Sequence, residues 1–235
     1  MTEPQPSSPA TDALPPEPVI VLDVWSDLVC PWCYIGRARI RAAVSGWQRP
    51  HEVLVRHRAY ELDPGMPRGG QVPLLEQLAA KFGGGREAAF AMTEQVTEVA
   101  AQDGLALDFI RAVAANSFDG HRLVALARDS GGPALEEAVL ERLFSAHFCE
   151  GIAIDDPEAL LRCVAEAGLD AGQASAVLDG DDYAASVRGD EETAREIGVT
   201  GVPFVVANSR IAVSGAQPTD VFTRLLRAAL EPAAG

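Results

Sequence analysis

The pair Cys30-Pro31-Trp32-Cys33 follows the apolar run Val19-Ile20-Val21-Leu22-Asp23-Val24-Trp25 and opens an amphipathic segment. A strand-to-helix junction bearing C-x-x-C is a frequent setting for dithiol chemistry. Pro31 suits the first helical position, where its missing N–H leaves nothing unsatisfied, so Cys30 falls at the N-cap. The helix dipole and free N–H groups there favour a Cys30 thiolate, which makes Cys30 the expected nucleophile. Cys33 lies one turn further in, within disulfide reach and deeper, as suits a resolving thiol. Ala38, Ile40, Ala43, Val44 and Trp47 form the expected apolar stripe, with Arg37, Arg39 and Arg41 toward solvent. Trp25 is expected in the core, and Trp32 beside Cys30 as an exposed aromatic surface for substrate.

A C-x-x-C is also half of a common zinc site, which requires a second pair. Cys149 and Cys163 lie far apart in helical patterns, and His51, His57, His121 and His147 show no ligand spacing. Redox chemistry is therefore preferred, with Cys149 and Cys163 read as buried, inert thiols.

A net charge of −15 argues against nucleic acid and anionic membrane surfaces. No apolar run is long enough for a membrane span, and residues 1–17 lack a secretory pattern and read as a disordered tail. The expected location is the bacterial cytoplasm, where a cycling disulfide is permitted and a permanent one is improbable.

The strand pattern at residues 52–59 completes β-α-β. Helical patterns then occupy residues 74–82, 88–102, 117–129, 133–149, 157–168 and 173–178, punctuated by Gly83-Gly84-Gly85, Gly131-Gly132-Pro133 and Asp155-Asp156-Pro157. A helix over 190–197, strands over 203–207 and 210–214, and a helix over 218–230 follow. The expected class is α/β: a thioredoxin-like domain of residues 18–61 and 187–235, split by a helical domain of residues 62–186. Such an insertion is tolerable because loop-closure cost grows only logarithmically. Pro203 starts a strand, and beside C-x-x-C a cis Val202-Pro203 bond is expected, presenting the Val202 backbone to an extended substrate.

These stretches together resemble the DsbA-like thioredoxin-fold oxidoreductases, in the cytoplasmic FrnE-type branch related to 2-hydroxychromene-2-carboxylate isomerases. The resemblance rests on Asp27 through Gly36, Tyr60-Glu61-Leu62-Asp63-Pro64, His121-Arg122-Leu123, Leu143-Phe144 through Gly151, Gly198 through Phe204 and Ser214 through Pro218. It implies Cys30 attack on a disulfide, Cys33 resolution and a cis Pro203 beside them. The isomerase relatives use a bound thiol such as glutathione and need no second cysteine; this chain has both. Trp32 replaces the histidine of exported DsbA oxidants, which implies a less oxidising couple than about −120 mV.

The expected substrate-contacting residues are Pro31, Trp32 and Val202, joined from the helical insert by Asn116, His121 and Arg122 as groups able to orient a carboxylate or thiol. No cofactor beyond the Cys30–Cys33 disulfide is expected, with a low-molecular-weight thiol as a possible cosubstrate. The partner is a disulfide-bearing protein or small molecule, and the chain a monomer or homodimer. Three readings follow: a thiol-disulfide oxidoreductase first, a thiol-dependent isomerase of an aromatic or polyketide-derived compound second, and a redox-gated binding protein third.

Overall fold

The computed structural model describes residues 20–69 and 71–231; the expected N-terminal tail lies outside them. Strand β1 (Ile20–Ser26) leads into helix α1 (Pro31–Ser45), and β2 (Val53–Ala59) returns parallel to β1, pairing Ile20 with Val53 and Ser26 with Ala59. Five helices follow: α2 (Leu74–Phe82), α3 (Gly85–Gln102), α4 (Phe118–Phe148), α5 (Pro157–Glu166) and α6 (Ala171–Asp179). The chain then regains the sheet through α7 (Ala184–Glu196), β3 (Phe204–Ala207), β4 (Ile211–Ser214) and α8 (Thr219–Leu230). The sheet order is β2-β1-β3-β4, with β3 antiparallel to both neighbours. This is the expected split thioredoxin pattern.

β1 is central and buried on both faces, and its side-chain period of two divides the packing. Ile20, Leu22 and Val24 meet Ile40 of α1 and Phe222, Leu225 and Leu226 of α8. Trp25 faces the other way, against Ala194 of α7 and Val199. Its indole N–H donates to the Asp190 carbonyl at 2.9 Å. Asp23, 5% exposed on that same face, is neutralised by Arg56 and Arg58 of β2 at 2.7 and 2.9 Å. The largest apolar cluster joins Leu28 of the β1–α1 loop and the buried side of α1, including Tyr34 and Ile35, to the inserted helices through Leu140, Phe144 and Phe148. Tyr34 stacks on Phe144 with ring centroids 5.0 Å apart.

The Gly-Gly-Pro punctuation appears as a break within α4 at Gly132, whose φ of 70° and ψ of −166° interrupt helical geometry before Pro133. Two expectations need correction. Arg37 is buried, at 6% exposure, because α1 packs on α4: its guanidinium pairs with Glu137 at 2.6 Å and with Glu141. Arg39 is drawn inward by Asp103 at 2.8 Å and the Ala216 carbonyl at 2.7 Å; Arg41 alone of the three is exposed. In addition, α7 starts at Ala184 rather than near Asp190, after Tyr183 in the left-handed region at φ 64°.

Candidate active site

Cys30 has the extended geometry of an N-cap, φ −102° and ψ 112°, with Pro31 next. Its carbonyl accepts the N–H groups of Cys33 and Tyr34 at 3.0 and 3.3 Å, which fixes the turn between the two thiols. Both thiols are free. Cys30 is 4% exposed and Cys33 1%, so depth alone barely separates them. Their surroundings do. Trp32, 39% exposed, lines one cavity together with Cys30, whereas Cys33 is approached from within by the Asp27 backbone N–H at 3.4 Å. Burial pushes the Cys33 thiol well above the usual range, and the hydrogen bond and charge of Cys30 push it the same way. The Asp27 N–H opposes this shift without reversing it. The proton is therefore held on Cys33.

The Val202-Pro203 bond is cis, as expected, and the Cys30 thiol points at the Val202 carbonyl at 3.8 Å. Gly36 permits this approach: a Cβ there would lie 2.9 Å from the Pro203 ring. Asp27, which carried no assigned role in the sequence, is fully buried beneath the pair. Its carboxylate accepts the Val29 N–H at 3.3 Å and the Leu62 N–H at 2.7 Å, and His121 Nε2 lies 3.5 Å away. Burial works to raise this carboxyl, but His121, the Leu62 N–H and Ser117 together hold it below the usual carboxylate value.

A cavity of about 300 Å³ opens beside Cys30, Pro31 and Trp32 and runs under α2 and α3. Leu74 and Leu78 of α2, Val96 of α3 and Phe109 contribute to its apolar wall. His147 of α4 lines it too, fully buried, with neither ring nitrogen hydrogen-bonded. Burial pulls this imidazole down to about 4, so it is neutral at pH 7.

Residues 21–227 match the DSBA-like thioredoxin domain. The chain belongs to this family. A probable DsbA oxidoreductase from Streptomyces coelicolor is 38% identical, covering 92% of this chain and 93% of that one with a TM-score of 0.85. Two more distant structures share the fold. One is the cytosolic disulfide reductase DsbM from Pseudomonas aeruginosa with GSH, at 22% identity, TM-score 0.60, 89% of this chain and 98% of that one. The other is a 2-hydroxychromene-2-carboxylate isomerase, at 20% identity, TM-score 0.62, 88% of this chain and 93% of that one. No curated protein matches the chain. No helix of the described residues is long and apolar enough to cross a membrane.

Within this DSBA-like framework the three candidates from the insert take other positions than the cavity lining. Asn116 braces its own loop, donating to the Met66 carbonyl at 2.9 Å and accepting the Phe118 N–H at 3.0 Å. Arg122 is spent on structure. It donates to the carbonyls of Asp182 at 2.8 Å, Val177 and Gly180, where the unpaired carbonyls of a helix C-terminus attract a cation, and it pairs with Asp119 at 2.8 Å. His121 sits behind the cysteines on Asp27. Cys163 is buried at 2%, but Cys149, at the C-cap of α4, is only partly buried; burial raises both thiols. The two residues that sequence reading missed carried signals of position only: Asp27 shortly precedes the C-x-x-C, and His147 lies within a stretch that supports the family resemblance.

Proposed function

We propose that this DSBA-like protein is a cytoplasmic thiol-disulfide oxidoreductase with Cys30 as nucleophile and Cys33 as resolving thiol. One observation carries the reading: Cys30 caps α1 beside the exposed Trp32 and the Val202 carbonyl, while Cys33, one turn inward, holds its proton against the Asp27 N–H. The Cys30 thiolate attacks one sulfur of a substrate disulfide, forming a mixed disulfide and releasing the other sulfur as a thiolate. Cys33 then loses its proton and attacks the Cys30 sulfur. The bound arm leaves as a second thiolate, the substrate gains two electrons and the enzyme keeps a Cys30–Cys33 disulfide. A low-molecular-weight dithiol, or two molecules of a monothiol, restores the pair; no other cofactor enters the cycle. The 38% identical probable DsbA oxidoreductase supports the same class of chemistry.

The test is trapping. Cys33→Ser accumulates a mixed disulfide at Cys30, visible as a mass adduct that dithiothreitol removes, and Cys30→Ser accumulates none. A Cys33→Ser protein that forms no adduct with any disulfide overturns the assigned order of attack.

The cavity at Cys30 favours a second reading, a thiol-dependent isomerase in which Cys30 activates a small bound thiol. That reading requires Cys33→Ser to stay active with a small thiol present, and the retained Cys33 ranks it below the first.

A further inference from the structure

We propose that the cavity beside Cys30 holds one arm of a low-molecular-weight aromatic disulfide that carries an acidic group, with His147 meeting a polar atom at the inner wall and Lys81 the acidic group. The proposal rests on the oxidoreductase reading and names its substrate class. The cavity's volume of about 300 Å³ suits a single aromatic arm and falls at the small end of small-molecule sites, roughly 300–1,000 Å³. Leu74, Leu78, Val96 and Phe109 supply an apolar wall, and Ala115, 3% exposed, leaves room on it.

Two polar features interrupt that wall and give it direction. His147 is fully buried and has no hydrogen-bond partner on either ring nitrogen, although a buried polar group normally finds one. A ligand atom reaching the inner wall satisfies it, and a neutral imidazole offers one donor and one acceptor. Lys81, the only lysine of the chain, lies on the lining in the last turn of α2 and makes no ion pair among the described residues. It is the only Lys or Arg of the lining. The lining acids are Asp27, engaged by His121, and Asp63, both of which disfavour an acidic ligand group, so Lys81 is the lining charge that attracts one. Cys30 on the same lining is placed to attack the sulfur of the bound arm. Its attack forms a Cys30–aryl mixed disulfide and expels the second arm as a thiolate. Cys33 then releases the first arm, so one aryl disulfide gives two aryl thiols and one Cys30–Cys33 disulfide, which a low-molecular-weight dithiol reduces.

The test separates binding from turnover. Calorimetry on full-length Cys30→Ser protein measures Kd for 2,2′-dithiodibenzoate and for the hydrophilic glutathione disulfide, and steady-state reduction of both by the unmodified protein follows with dithiothreitol as donor. We expect the aryl disulfide to bind at least about tenfold more tightly than glutathione disulfide, a difference of about 1.4 kcal/mol. Lys81→Met, a surface change that spares the core, weakens aryl binding about threefold or more. Ala115→Leu, which fills the cavity, weakens it about tenfold, in proportion to the contact area denied. Equal Kd values for the two disulfides, or an aryl Kd unmoved in either folded variant, overturn the cavity proposal. Selective binding without reduction of either disulfide overturns the oxidoreductase reading instead, and reduction without selective binding overturns the cavity proposal alone.

Discussion

The Asp27 backbone N–H donates to the Cys33 sulfur at 3.4 Å, while the Asp27 side chain is anchored by Leu62 and His121. One residue thus supplies both a stabilising dipole and a destabilising charge to the buried thiol. The carboxylate charge raises the Cys33 thiol, and the N–H lowers it.

Asp27→Asn removes the charge and leaves the backbone donor in place, so Cys33 should ionise at lower pH. The measurement is the pH profile of Cys33 alkylation in Cys30→Ser protein with and without Asp27→Asn. We expect the midpoint to move down in the double variant; an unmoved or raised midpoint contradicts this role for Asp27.

Much of this arrangement is legible in the order of residues along the chain. The apolar run from Val19 to Trp25 marks a buried strand, and Pro31 after Cys30 marks the first turn of α1, because these signals are local. What escapes is whatever depends on a distant element. Arg37 reads as a surface residue because its partners, Glu137 and Glu141, lie about a hundred residues away on a helix whose docking no local pattern reports. Arg122 reads as a substrate contact because its consumption by the Val177, Gly180 and Asp182 carbonyls depends on where α6 ends. His147 is overlooked for the same reason: its significance is the cavity wall, which segments far apart in the chain build together.

Gly36→Ala tests how closely α1 and the Pro203 segment must approach. The added Cβ meets the Pro203 ring at 2.9 Å, so that ring or α1 must give way. We expect a loss of about 1–3 kcal/mol in urea unfolding, typical of overpacking, and a several-fold slower disulfide exchange as Val202 moves from Cys30. Wild-type stability and rate together contradict it.

The buried imidazole sets an acid limit on stability. His147 ionises at about 4 when folded, against about 6.5 for an exposed histidine, so below pH 6.5 the unfolded chain binds the extra proton. Its contribution is complete above about pH 6.5 and is lost progressively as pH falls to about 4, an effect of about 3 kcal/mol. Asp27, whose folded-state value is lowered, adds a loss of the same sign below the ordinary carboxylate range. Urea midpoints from pH 8 to pH 4 should fall in this window, and His147→Leu should flatten the slope between about pH 6.5 and 4. An identical slope in His147→Leu rules out this residue as its source.

Arg37→Ala should loosen the seam between α1 and α4. The guanidinium is buried at 6% exposure, while Glu137 and Glu141 keep 34% and 42%, so solvent screens part of the lost attraction. We expect a loss of about 1–3 kcal/mol, read from thermal or urea unfolding, with lysine restoring only part because it cannot engage both carboxylates through one planar fork. Full rescue by Arg37→Lys contradicts the two-carboxylate geometry.

The most direct test of the central claim is the equilibrium between dithiol and disulfide at Cys30 and Cys33, followed by thiol labelling and mass spectrometry across a graded redox buffer. The expected result is one two-electron transition between about −280 and −120 mV that loses both labels together. Failure to form an intramolecular disulfide, or a single small-thiol adduct on Cys30 with Cys33 still free, contradicts dithiol exchange and leaves the thiol-dependent isomerase as the better description.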